Sequence, residues 1–284
     1  MPELPEVEIT ARRLDEALPG IAIESVLAPG VKVMRTFDPP LSELEGRTIE
    51  RIGRRGKHLL VEASGGFVVL MHLMSAGRLQ LYDRRAGPSD RTSRLLIRAR
   101  LDGGEQELRL REFGSKQAAW AKLLRSSELD EAPELAALGP EAWPSPPRLH
   151  ELLKAPRPLH AALRDQHVIA GIGRSWADEI LWEARLSPFK RANDLSDQEA
   201  QALRQAIAGT LGAAIRHYEQ VVLLPIPDKL PMPLKVHRHE GEPCPRCGET
   251  LRPVHFEDYV IAYCPSCQTG GKTLKDRRLS RLLK

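Results

Sequence analysis

The sequence predicts an α+β multidomain chain: one N-terminal helix followed by an antiparallel β-sandwich or barrel, then an all-helical region, then a small four-cysteine ribbon. Three observations carry this. Short apolar runs separated by Gly, Asp and Pro turns fill residues 1 to about 130 with no helical pattern between them. From about 131 the composition shifts to Ala, Leu and Glu at helical spacing. All four cysteines lie in the final fifth of the 284 residues, as two C-x-x-C pairs.

In order along the chain, "ITARRLDEAL" has helical spacing and stops at Pro19-Gly20. Pro5 and Glu6 before it suit a helix entry, where a missing N–H is harmless and carboxylates meet the positive end of the dipole. That leaves Pro2 without a structural task. The runs "IAIESVLA", "TIERIG", "HLLVEA", "FVVLMHL", "GRLQLYD", "RLLIRARL" and "QELRLREF" then read as strands. "LGPEAWPSPP" reads as a linker or helix entry, and "RLHELLKA", "LHAALRDQ", "SWADEILWEARL" and "SDQEAQALRQAIAGTLGAAIRHYEQVV" read as helices. The Pro-rich "LLPIPDKLPMPLKVHRHEGEP" leads into the cysteine segment. The expected boundaries are 1–130 for the sandwich domain, 131–147 for a linker, 148–226 for the helical domain, 235–270 for the zinc finger and 271–284 for a basic tail.

Cys244 and Cys247 in "CPRC" and Cys264 and Cys267 in "CPSC" are separated by sixteen residues, room for a hairpin joining two knuckles around one tetrahedral zinc. Two disulfides or four unrelated thiols are the alternatives. Disulfides are disfavoured in a reducing compartment, and four thiolates leave no open metal position for water, so one structural zinc per chain is expected. No run approaches the roughly 20 apolar residues of a membrane span, and the N-terminus lacks the basic and apolar regions of a signal peptide, which points to the cytoplasm. The net charge of +4 is modest but uneven. Arg51, Arg54, Arg55 and Lys57 cluster, and the last thirteen residues carry six Lys or Arg against one Asp. Gly171 and Gly173 ahead of a helix make a turn suited to a phosphate or to a plain reversal.

Taken in order, "PELPEVE", "RRGKHLLVE", "AGIG…ADEILW…SP" and "GEPCPRCG…YCPSCQ" resemble the bacterial formamidopyrimidine-DNA glycosylase and endonuclease VIII family over nearly the whole chain. The resemblance implies an N-terminal β-sandwich, a C-terminal helix–two-turn–helix domain and a zinc finger. It further implies an enzyme of base excision repair, acting as a monomer on double-stranded DNA with damaged bases or abasic sites. Such enzymes remove oxidised bases and cut the resulting abasic site by elimination.

The same resemblance assigns roles. Freed by loss of Met1, Pro2 becomes an N-terminal secondary amine; α-amino groups have a pKa near 8 against about 10.4 for lysine, so far more of it is neutral and nucleophilic at pH 7. Glu3 matches the acid that protonates the sugar ring oxygen and shuttles protons, and Glu6 assists near the amine. Lys57 matches a lysine that grips phosphate at the lesion. Arg111 and Phe113 match a wedge pair that fills the hole left by a flipped base, with Met74 as a third wedge candidate. Gly173 belongs to the phosphate turn. Arg174 stands where the family has Asn, His160 where it has Lys, and Tyr259 where it has Arg, so three DNA contacts are altered. "HLMSAG" departs from the family's "HLGMSG", and the segment after the last helix lacks the loop typical of 8-oxoguanine enzymes, so no preferred base is assigned. The alternatives are a non-catalytic binder of damaged or abasic DNA and an unrelated zinc-ribbon protein.

Overall fold

The computed structural model describes residues 2–274 apart from positions 31, 88, 102, 103, 115 and 116. From 275 onward the expected basic tail lies outside the described residues. The chain divides into two compact units: Met1–Ala137 with Ile215–Pro231, and Leu138–Ala214 with Met232–Lys284. The division does not follow chain order as the sequence-based boundaries do, since the end of the last long helix and the segment after it are grouped with the N-terminal unit.

In the first unit, α1 (Leu4–Asp15) starts five residues before the run that announced it. Glu3 caps it in an extended conformation, and the Glu6 carboxylate accepts the Glu3 backbone N–H at 2.8 Å, one half of a capping box. Eight antiparallel strands follow: β1 (Ile23–Leu27), β2 (Ile49–Arg55), β3 (His58–Ala63), β4 (Phe67–His72), β5 (Gly77–Tyr82), β6 (Ser93–Leu101), β7 (Gly104–Glu112) and β8 (Trp120–Arg125). They form two four-stranded sheets, ordered β1-β6-β7-β5 and β2-β3-β4-β8. β3 and β4 are buried along nearly their whole lengths, with α1 lying against β2 and β3.

The seven strands expected from sequence are present, and β8 is an eighth. Its "WAKLLR" consists mostly of good helix formers, yet it pairs with β4 from Phe67 opposite Arg125 to His72 opposite Trp120. Tertiary pairing overrides propensity there. A short α2 (Pro133–Ala136) falls inside the expected linker.

The second unit holds α3 (Leu149–Leu152), α4 (Leu159–Arg164), α5 (Arg174–Glu183) and most of α6 (Asp197–Val221). The expected helix over 148–155 shrinks to four residues, because Pro156 and Pro158 push the residues before them out of the helical region. A hairpin of β9 (Arg252–His255) and β10 (Val260–Tyr263) leads to α7 (Pro265–Thr269). Trp182 of α5 packs with Val236, Cys244, Leu251 and Cys264, so the ribbon is seated on the helical unit. Among the described residues, no helix is long and apolar enough to cross a membrane.

Candidate active site

The head of α1 gathers the first three candidates. Pro2 is half-buried, whereas Glu3 and Glu6 are only 2% and 4% exposed. Both oxygens of Glu6 are engaged. Oε2 accepts the Glu3 N–H, and Oε1 accepts the Tyr218 hydroxyl at 2.7 Å. Burial, followed by the Glu6 charge, pushes the Tyr218 phenol far above its usual range, so it remains a donor. Nothing in the sequence pointed to Tyr218, which sits in a helical run as an ordinary core aromatic.

Lys57, 5% exposed, lies in the β2–β3 turn, directly before β3. Beside it, His58 and His72 pack with Trp120. Burial holds His58 down to about 4. His72 is held at about 3 by burial, with the charges of His58, Lys57 and Arg35 adding to it. Both rings are therefore neutral at pH 7. His72 Nδ1 uses that state to accept the Met74 N–H at 2.9 Å.

The three arginines of the basic cluster are already matched by carboxylates. Arg51 pairs with Glu62, Arg54 with Glu8 at 2.6 Å, and Arg55 with Asp130 at 2.7 Å. Arg51 and Arg55 stay 64% and 41% exposed in their side chains, whereas Arg54, 7% exposed, ties β2 to α1.

The wedge candidates meet at one place. Met74 holds φ 50°, rare for a residue with a side chain, in the turn between β4 and β5. The turn closes through Gly77 N–H to Leu73 O at 2.8 Å, and a Cβ at Gly77 would sit 2.3 Å from that oxygen. The Phe113 N–H reaches Ala76 O at 3.4 Å, and the Arg111 guanidinium lies 4.6 Å over the Phe113 ring. Arg111 also bonds Thr92, Gln80 and Tyr82, and lies 3.4 Å from Asp228. Buried Glu112 accepts the N–H groups of Ala118 and Ala119, fixing the base of the loop that carries Phe113.

In the second unit, Gly173 is the N-cap of α5, and the Gly171 N–H is engaged by the Gln166 side chain at 2.9 Å. Arg174 and Arg164 each lie 4.5 Å over the Tyr259 ring, which also stacks on Phe256 at 4.4 Å and on His160 at 6.1 Å. Arg174 donates to Asp258 Oδ2 at 2.6 Å and to its carbonyl at 3.1 Å. Candidates distant in sequence are thus drawn around one aromatic ring. His160, however, is 2% exposed and faces inward, with Nε2 3.2 Å from Asp178 Oδ1 but not aligned for a hydrogen bond. Asp178 also pairs with His237 at 2.7 Å. Its neighbour Glu179 receives the N–H groups of Lys235, Val236 and His237 and anchors the chain entering the ribbon; burial raises its pKa despite those donors. Asp178 and Glu179 lie in the "ADE" of a motif whose glycines alone had drawn attention.

Sγ atoms of Cys244, Cys247, Cys264 and Cys267 all lie within 4.8 Å of one another. Four bonds of about 2.3 Å to one tetrahedral ion place sulfurs about 3.8 Å apart. The separations of 3.4 Å for Cys247–Cys267, 3.5 Å for Cys247–Cys264 and 4.0 Å for Cys244–Cys267 fit that requirement, so the four thiols can hold a metal ion. Burial acts to raise the Cys244 thiol, but donors from the Arg246 backbone and the Trp182 indole, the latter at 3.3 Å, outweigh it and hold Cys244 at about 6.

Fold and site together define a two-unit protein of the helix–two-turn–helix class with a cysteine ribbon at its C-terminal end. Residues 1–115 match the formamidopyrimidine-DNA glycosylase N-terminal domain, and residues 138–223 match the H2TH domain of the same proteins. The chain belongs to the formamidopyrimidine-DNA glycosylase family. It is 32% identical over 280 residues to the formamidopyrimidine-DNA glycosylase of Desulforamulus reducens, spanning 94% of this chain and 99% of that one. An uncharacterized formamidopyrimidine-DNA glycosylase-like protein of Mycobacterium tuberculosis is 44% identical over 154 residues, 54% of this chain and 98% of that protein. Among solved structures, Lactococcus lactis Fpg in complex with abasic-site DNA superposes with a TM-score of 0.82 at 26% identity, covering 94% of this chain and 99% of that one. MutM in complex with DNA containing carbocyclic 8-oxo-G gives 0.81 at 28% identity, covering 94% and 100%.

Proposed function

We propose that the protein is a bifunctional DNA glycosylase and abasic-site lyase of base excision repair, with Pro2 as nucleophile. The carrying observation is the head of α1, where Pro2 keeps access to solvent while two buried carboxylates are fixed behind it. With Met1 removed, the Pro2 nitrogen lone pair forms a bond to C1′ of the damaged nucleotide as the glycosidic bond breaks and the base leaves with a proton. Glu3 protonates the ring oxygen, and the sugar opens to an iminium. Because the amine is secondary, the adduct keeps its positive charge and acts as an electron sink. Loss of the C2′ proton then expels the 3′ phosphate.

Lys57, Arg174 and the turn at Gly173 are assigned to phosphates, and Met74, Arg111 and Phe113 to the gap left by the extruded base. Zn²⁺ is the ion assigned to the four cysteines, where it would cross-link the two knuckles. A cytoplasmic, nucleoid-associated protein follows from the same reading.

A duplex with one abasic site tests the proposal. Strand cleavage is expected; tight binding without cleavage contradicts it and supports a binding module instead. A panel of duplexes carrying single oxidised bases then identifies the base removed.

A further inference from the structure

We propose that Tyr218 is a positioning residue for the N-terminal amine, acting through the carboxylate of Glu6. The inference rests on Pro2 as nucleophile and goes beyond it to ask what holds that nucleophile still.

Tyr218 lies in the last turn of α6, within the segment grouped with the N-terminal unit, and is fully buried. Its hydroxyl donates to Glu6 Oε1 at 2.7 Å, while Glu6 Oε2 receives the Glu3 N–H at 2.8 Å. That N–H belongs to the peptide joining Pro2 to Glu3. The proline ring contains the amine, so once this peptide plane is fixed, the Pro2 Cα–C torsion is the one backbone rotation left to aim the amine. A carboxylate anchored at one oxygen can pivot about its bond to the cap. Anchored at both, it cannot, and the second anchor is Tyr218.

A helix needs only the cap, and many helices have it without a buried phenol on the other oxygen. The phenol also supplies a hydrogen bond to a carboxylate that is only 4% exposed. Among the described residues, Arg78 and Glu3 also act electrostatically on this cluster.

The experiment uses the full chain with its native processed N-terminus and a duplex carrying one abasic site. Affinity and the single-turnover rate of borohydride-trapped cross-link are measured for wild type, Tyr218→Phe, Glu6→Gln and the double variant. Tyr218→Phe is expected to slow cross-linking about tenfold or more while changing Kd by less than about twofold, in line with loss of a hydrogen bond to a charged group. The double variant is expected to be no slower than Glu6→Gln. A wild-type rate for Tyr218→Phe beside an impaired Glu6→Gln, or penalties that multiply in the double variant, overturns the inference and leaves the proposed nucleophile standing. A wild type that forms no cross-link removes the proposed function, and this inference with it. Ile215→Ala, a truncation on the same helix that spares the hydroxyl, controls for stability. At matched loss of melting temperature a normal rate upholds the specific role of the hydroxyl, and equal slowing refutes it.

Discussion

Around Glu6, three polar groups are locked by hydrogen bonds in a nearly solvent-free setting; around Tyr259, the polar groups meet across aromatic faces, with Arg174 39% and Asp258 69% exposed in their side chains. The first region keeps the residues its resemblance led one to expect, and the second replaces them with His160, Arg174 and Tyr259. The contrast has a physical basis. A buried carboxylate held at both oxygens cannot be altered without stranding a partner, whereas an exposed cation such as Arg174 can change its counter-ion at little cost; His160, 2% exposed, does not follow that rule.

The largest effect should come from the buried region. Glu3→Gln keeps the shape but removes the acid, and base removal is expected to fall by about 10²–10⁴-fold, with DNA affinity retained in a binding assay. A loss confined to affinity would dissolve the distinction between the two regions. Metal removal should come next. Chelation, or Cys244→Ser, should unseat the ribbon from Trp182, release about one zinc per chain by metal analysis and weaken DNA binding; unchanged folding and affinity would mean the four thiols hold nothing.

Smaller changes are expected at the exposed face. Asp258→Asn frees Arg174 from its present partner, so affinity for duplex should rise by about threefold, the scale of one exposed ion pair. Arg174→Ala should reduce the slope of log affinity against log salt by about 0.9, the contribution of one phosphate. Because Arg54 is 7% exposed in its side chain and tied to Glu8, its removal should change that slope far less.

The smallest effect concerns acid. Burial depresses His58 to about 4 and His72 to about 3, so the unfolded chain, at about 6.5, takes up protons first as pH falls. Stability from the neutral rings is full above about pH 6.5 and is lost as pH falls through about 4 and then 3. His72→Asn keeps an acceptor for the Met74 N–H but does not titrate. Its melting temperature should therefore decline less between pH 6.5 and 4 than that of wild type.

Legibility in the sequence followed the range of the forces involved. Alternation and turn residues showed the strands of the sandwich, and the cysteine spacing pointed to the ribbon, because each signal is local. "WAKLLR" hid β8, since what makes it a strand is β4, about fifty residues away. Pro2, Glu3 and Glu6 were readable because "PELPEVE" carries them within five residues of one another and the family resemblance gives them their roles. Tyr218, Asp178 and Glu179 were not, because each has its partner far along the chain: Glu6 for Tyr218, His237 for Asp178, and the backbone of 235–237 for Glu179. His160 was aligned with a DNA-contacting lysine of the family, and only the packing shows its ring turned toward Asp178.

The central claim is that the amine of Pro2 forms the covalent bond to the sugar. Borohydride trapping on an abasic-site duplex, followed by peptide mapping of the cross-link, tests it directly, alongside a form whose N-terminal extension converts that amine to an amide. The expected result is a cross-link on Pro2 in the processed protein and none in the extended one. Undiminished trapping by the extended protein, with the adduct mapped to a lysine, would contradict the account.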